Sequence, residues 1–150
     1  MVTSEQVKEL REKTGVSVME CKAALTEADG DMMKALEILS LRAVAAASKK
    51  AGRALGAGVV ASYVHTTGQV GAMVLLSSET DFVSKNEEFT ALARDIAMHA
   101  AAMQPKDIAE LLGQQYIKDP SKTIAEMVSG AVQKFGERIE VSQLAFFSVK

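Results

Sequence analysis

Apolar residues in the first forty positions recur at helical spacing. Val7 and Leu10, then Cys21, Ala24, Leu25 and Ala28, then Met32, Ala35, Leu36 and Leu39 follow the i, i+3, i+4, i+7 signature of amphipathic helices. Thr3 with Gln6 and Ser17 with Glu20 read as capping boxes, Thr14-Gly15 and Gly30 as stops, and Asp31 as a third cap. These signals predict three short helices over residues 1–40. Residues 41–56 are alanine-rich, end in Gly52 and Gly56, and read as a helical linker. The pattern then changes. Gly58–Thr66, rich in Val and Tyr, and Gln69–Ser78, with the near-continuous apolar run Met73-Val74-Leu75-Leu76, read as two strands joined by Thr67-Gly68, a hairpin signal. Thr80-Asp81-Phe82-Val83 leaves the second strand at a corner, with Ser84 as the expected cap of a helix from Lys85. Phe89, Leu92, Ala93, Ile96, Ala97 and Ala100 form the stripe of that helix, which ends before Gln104-Pro105. A short helix over Asp107–Leu112 follows. Asp119-Pro120 then opens another over Ser121–Phe135, with Ile124, Met127, Val128, Ala131 and Val132 inward and Gly136 as its stop. Ile139–Val149 reads as a third strand returning to the hairpin. The predicted fold is α+β: a three-helix bundle over 1–40, a basic linker over 41–56, and a core over 57–150 in which a small antiparallel sheet of about three strands is packed with helices.

Two places in this pattern put apolar side chains where no core is expected. At about 100° per residue, Met19 points away from the Cys21/Ala24/Leu25/Ala28 face, Val18 lies on its border, and Val16 falls in the preceding turn. All three are expected at the surface, either as scattered hydrophobics or as a docking patch with Met as the adaptable member. The second place is Asp81-Phe82. An acid followed by a large aromatic at a strand-to-helix corner suits a wedge pressed into a partner better than a pocket that holds a substrate.

Composition narrows the functional classes. With 150 residues, 48% of them hydrophobic, the chain can bury a substantial core. A net charge of −2 and a pI near 5.7 argue against a globally basic nucleic-acid binder. The one basic stretch carries Arg42, Lys49, Lys50 and Arg53 without an acid, but it holds no aromatic for base stacking and reads better as a solvated helix. A single cysteine excludes an internal disulfide and fits a reducing compartment. With only His65 and His99 beside Cys21, zinc is not expected. No run approaches the roughly 18 apolar residues of a membrane span, and the N-terminus lacks a signal-peptide pattern, so a cytoplasmic protein is expected. No nucleophile-base-acid constellation and no phosphate-binding glycine loop can be assembled. Cys21 falls on a core face, and His65 and His99 read as structural. The expectation is a binder without a catalytic centre, cofactor or metal.

Thr14-Gly15-Val16-Ser17-Val18-Met19-Glu20-Cys21-Lys22-Ala23-Ala24-Leu25 and Thr80-Asp81-Phe82-Val83 together resemble the elongation factor Ts family, in a short form. Glu27 to Asp31, Lys49 to Gly52 and Phe135-Gly136-Glu137-Arg138-Ile139 extend the likeness in the same order along the chain. The resemblance implies a guanine-nucleotide exchange factor for the GTPase elongation factor Tu, with a ubiquitin-associated-like N-terminal bundle and an α+β core. It implies that Asp81 and Phe82 intrude near the magnesium site of the GTPase, and that Lys8, Arg11, Val18, Met19 and Lys22 dock the bundle on it. Short members resemble dimers, which leaves a homodimer open. The chain departs from the family after Ile139, where arginines give way to Ser142-Gln143-Leu144-Ala145. Two other classes remain: an adaptor with a ubiquitin-associated-like module that binds some other protein, and a small enzyme using Glu79, Asp81 or His65.

Overall fold

The computed structural model describes residues 1–150. Three helices open the chain: α1 (Ser4–Thr14), α2 (Val18–Glu27) and α3 (Met32–Lys50). Thr3 and Gln6 close the capping box on α1, and Gly15 ends it in the left-handed region at φ 71°. At α2 only half of the expected box forms. Ser17 accepts from the Glu20 N–H, while its hydroxyl donates to the Glu20 carboxylate at 3.2 Å. Asp31 caps α3 through the Lys34 N–H. Leu10, Val16, Cys21, Ala24, Leu25, Ala28, Ala35 and Leu39 form the core of this bundle.

Val16 is therefore not a surface residue: it is only 4% exposed. Helical phase does not govern a turn residue. Val16 precedes the cap of α2 and meets Cys21, four positions beyond that cap, the arrangement of a hydrophobic staple; the Cys21 thiol lies 3.6 Å from the Val16 carbonyl.

The third helix is longer than its stripe suggested. Nothing between Ser40 and Ser48 interrupts it, and alanine is the strongest helix former. It runs to Lys50 and packs along α7 (Ile124–Phe135) of the second part of the chain.

That second part is a three-stranded antiparallel sheet in the order β1-β2-β5, made of β1 (Ala57–Val64), β2 (Val70–Ser78) and β5 (Glu140–Ser148). The hairpin turns through Gly68 at φ 70°, which a side chain would strain. One face, with Ala72, Val74 and Leu76, packs on α5 (Glu87–Met103) through Phe89, Ala93, Ile96, Ala97 and Ala100. The other face leaves Val60, Val64, Met73 and Phe147 exposed. The class is α+β, as the sequence pattern predicts.

Two boundaries shift. After α6 (Ile108–Gly113), residues Asp119–Thr123 are not the start of a helix. They form β4, which pairs with β3 (Gln115–Tyr116) in a small second sheet. The start of α7 is set by a capping box between Thr123 and Glu126. Pro120, which lacks an N–H, sits in the irregular part of this ribbon, where no ladder bond is lost. Ser84 likewise caps nothing. It ends the single turn α4 (Asp81–Ser84), and Asn86 caps α5 by accepting from the Glu88 N–H at 2.8 Å.

Candidate functional site: the strand-to-helix corner

β2 ends on two buried serines, Ser77 and Ser78. The Ser77 hydroxyl bonds Ser142 of β5 at 2.7 Å, and that of Ser78 donates to the Thr80 carbonyl at 2.9 Å. The chain then makes the one turn of α4. The Thr80 carbonyl also accepts from the Ser84 N–H at 3.3 Å, and that of Asp81 from the Lys85 N–H at 3.0 Å. Val83 and Ser84 point into the core. A single turn that buries these two must turn its first two side chains outward. Phe82 is 87% exposed, and Asp81 lies beside it with its carboxylate 3.2 Å from Lys85 Nζ. That pair is exposed on both sides and adds little to stability.

A lone exposed aromatic is ordinary. This one stands on a base that is tied from several directions. Glu137 accepts from both the N–H and the hydroxyl of Thr80, at 3.0 and 2.6 Å. Glu79 accepts from the Arg138 N–H at 2.5 Å and from the Arg53 guanidinium at 3.4 Å. The Arg138 guanidinium in turn donates to the Arg53 carbonyl and the Glu140 carboxylate. Exposing a Phe forgoes about 1.5–3 kcal/mol of burial, and holding it on a braced corner keeps that burial in reserve for a partner.

The second candidate surface lies on the bundle. Met19 is 83% exposed and Val18 49% exposed in the first turn of α2, and Lys8, Arg11 and Lys22 are exposed on α1 and α2. The structure thus displays the Val18/Met19 pair while taking Val16 inside.

Other reactive side chains are occupied. Burial pushes the Cys21 thiol above its usual range, which keeps it protonated. His99 is fully buried. Its Nδ1 accepts from the Ile117 N–H at 3.1 Å and its Nε2 lies 3.0 Å from the Gln114 carbonyl oxygen. His65 is exposed, with Nδ1 3.2 Å from the Tyr63 hydroxyl. No helix is long and apolar enough to cross a membrane. Sequence reasoning missed Glu137 and Arg138 as supports of the corner, and it took Glu79 only as a candidate acid. They lie 57 and 59 residues from their partners along the chain, beyond any local pattern. The signal available was the Phe135–Ile139 segment, which carried part of the family likeness.

Fold and site together describe a small α+β protein that offers contact surfaces. A family profile described as "Elongation factor TS" matches residues 79–150, beginning immediately before Thr80. The chain is 48% identical to elongation factor Ts of Acetivibrio thermocellus, covering 93% of this chain and 72% of that protein. It is 44% identical to the Carboxydothermus hydrogenoformans protein of the same name, over 93% and 71%. Against that of Clostridium botulinum the identity is 42%, over 99% of this chain and 48% of the relative. The chain belongs to the elongation factor Ts family, the nucleotide exchange factors of translation elongation, which catalyse no chemical reaction of their own.

Proposed function

We propose that this chain speeds GDP release from elongation factor Tu by setting Phe82, with Asp81 beside it, between elements of the GTPase near its magnesium site. The exposure of Phe82 on a braced corner carries this reading. Exchange requires no bond to be made in the factor. It requires that the factor bind the empty GTPase more tightly than the loaded one, and by reciprocity it then weakens GDP binding by the same ratio. Burying one Phe only in the empty state supplies about 1.5–3 kcal/mol, or roughly tenfold and upward.

Residues 1–40 act as the docking module. Val18 and Met19 make the apolar contact, and Lys8, Arg11 and Lys22 are rim charges that steer encounter. Residues 41–56 link this module to the core, 57–150, which presents the wedge. The partner is a protein in the cytoplasm; nucleic acid, membrane and cofactor have no part in the reading. The apolar outer sheet face, with Met73 and Phe147, supports a homodimer in which a second copy covers it.

The test is release of a fluorescent GDP from elongation factor Tu, with and without this chain. Phe82→Ala should slow release at saturating factor about tenfold, weaken the complex with nucleotide-free GTPase by a similar factor, and leave the complex with GDP-loaded GTPase nearly unchanged. Equal weakening of the empty and the GDP-loaded complexes would refute the division of labour, and no acceleration by the unaltered chain would leave the adaptor reading.

A further inference from the structure

At the base of the Phe82 corner two carboxylates cross over. Glu137 follows Gly136, whose left-handed backbone (φ 73°) ends α7 and turns the chain under the corner. Its two oxygens take the N–H and the hydroxyl of Thr80 at 3.0 and 2.6 Å. In return, Glu79, beside Thr80, takes the Arg138 N–H at 2.5 Å. Each side chain closes on the main chain of the other segment.

Burial alone already holds both segments, since Ser78 and Val83 on one side and Ile139 and Val141 on the other are in the core. The clasp instead controls Thr80. This residue occupies the cap position of α4, where a threonine hydroxyl ordinarily accepts from the helix's own N–H groups. Here no side-chain cap bond forms, and the hydroxyl is turned onto Glu137. The Thr80 carbonyl is at the same time the acceptor for Ser78 and Ser84. Rotation of Thr80 would therefore re-aim Asp81 and Phe82 together, and a charged acceptor gripping two of its donors opposes that rotation more strongly than neutral bonds do.

We propose that Glu137 is a positioning residue for nucleotide exchange: by clasping Thr80 it holds the α4 turn in the orientation from which Phe82 enters the GTPase. This rests on the reading of Phe82 as the wedge. Loss of the clasp divides the corner among several orientations, and every step that uses Phe82 slows by the fraction remaining competent. Docking through α1 and α2 does not use the corner and is unaffected.

The experiment measures fluorescent-GDP release from elongation factor Tu against factor concentration for the full chain, Phe82→Ala, Glu137→Ala, Phe82→Ala/Glu137→Ala, Thr80→Val and Thr80→Ser. Glu137→Ala should lower the saturating rate about fivefold with the half-saturating concentration unchanged. Thr80→Val, which keeps shape but loses the hydroxyl, should fall part of the way, and Thr80→Ser should restore the rate. In the Phe82→Ala background Glu137→Ala should cost nothing further, because it acts through that ring. Additive losses, or an unchanged rate for Glu137→Ala where Phe82→Ala is slow, overturn the positioning role and leave the wedge standing. An unchanged rate for Phe82→Ala itself removes the wedge and this role with it. If Glu137→Ala does not fold, the Thr80→Val and Thr80→Ser pair decides alone: a loss with Val that Ser restores supports the clasp, and equal rates overturn it.

Discussion

His99 is buried with both ring nitrogens in use. The Ile117 amide can only donate, so Nδ1 is the acceptor, and the proton resides on Nε2, facing Gln114. A second proton would set donor against donor, and burial holds the imidazole pKa below its usual 6.5. The sign follows. Above the unfolded value the group is neutral in both states; as pH falls below it, the unfolded chain takes up a proton that the folded chain resists, so stability falls until His99 protonates in place. Urea midpoints should decrease from pH 6.5 toward 5, with a contribution from this residue of at most about 1.4 kcal/mol per pH unit, and His99→Gln should flatten the slope. Val16 and Met19 make a second contrast at this scale. Three positions apart, one is a staple and the other is free. Val16→Ala should cost roughly 1–3 kcal/mol of stability. Met19→Asp should leave the melting temperature unchanged and weaken association with elongation factor Tu; a large drop in melting temperature would place Met19 in the core.

Among the elements, those with side-chain chemistry at both ends or with a strong apolar stripe could be read directly. Thr3–Gln6 and Gly15 bound α1, and the Phe89–Ala100 stripe defines α5 to within two residues of its start. Errors arose where two signals competed. Asp119-Pro120 imitates a cap followed by a first-turn proline, yet the box at Thr123 and Glu126 wins because it satisfies two N–H groups reciprocally. Thr123→Ala should therefore destabilise the fold by about 1 kcal/mol, measurable as a shift in denaturant midpoint with unchanged m-value. The Phe82 corner was legible because its strand and stripe were strong, but the clasp beneath it was not. No periodicity connects Glu137 to Thr80; only the folded sheet brings β5 beside β2.

At the scale of the whole molecule, the sheet has one packed face and one apolar face left open. Phe147, 78% exposed on β5, lies on the open side. If a second copy covers that face, Phe147→Lys should reduce the mass seen by light scattering to one chain without loss of melting temperature; an unchanged mass would remove the sheet face from any dimer. The two cores have 8 and 19 buried members, and both rest on one uninterrupted rod about 28 Å long. Ala35 and Leu39 of α3 belong to the smaller, while Ala47, two turns further on, packs against the larger. Eight side chains would hold a free three-helix unit only marginally. Because neither end of that rod can fray without loosening what the other end carries, heat should melt the chain in one cooperative step, with a single calorimetric peak whose van't Hoff and measured enthalpies agree.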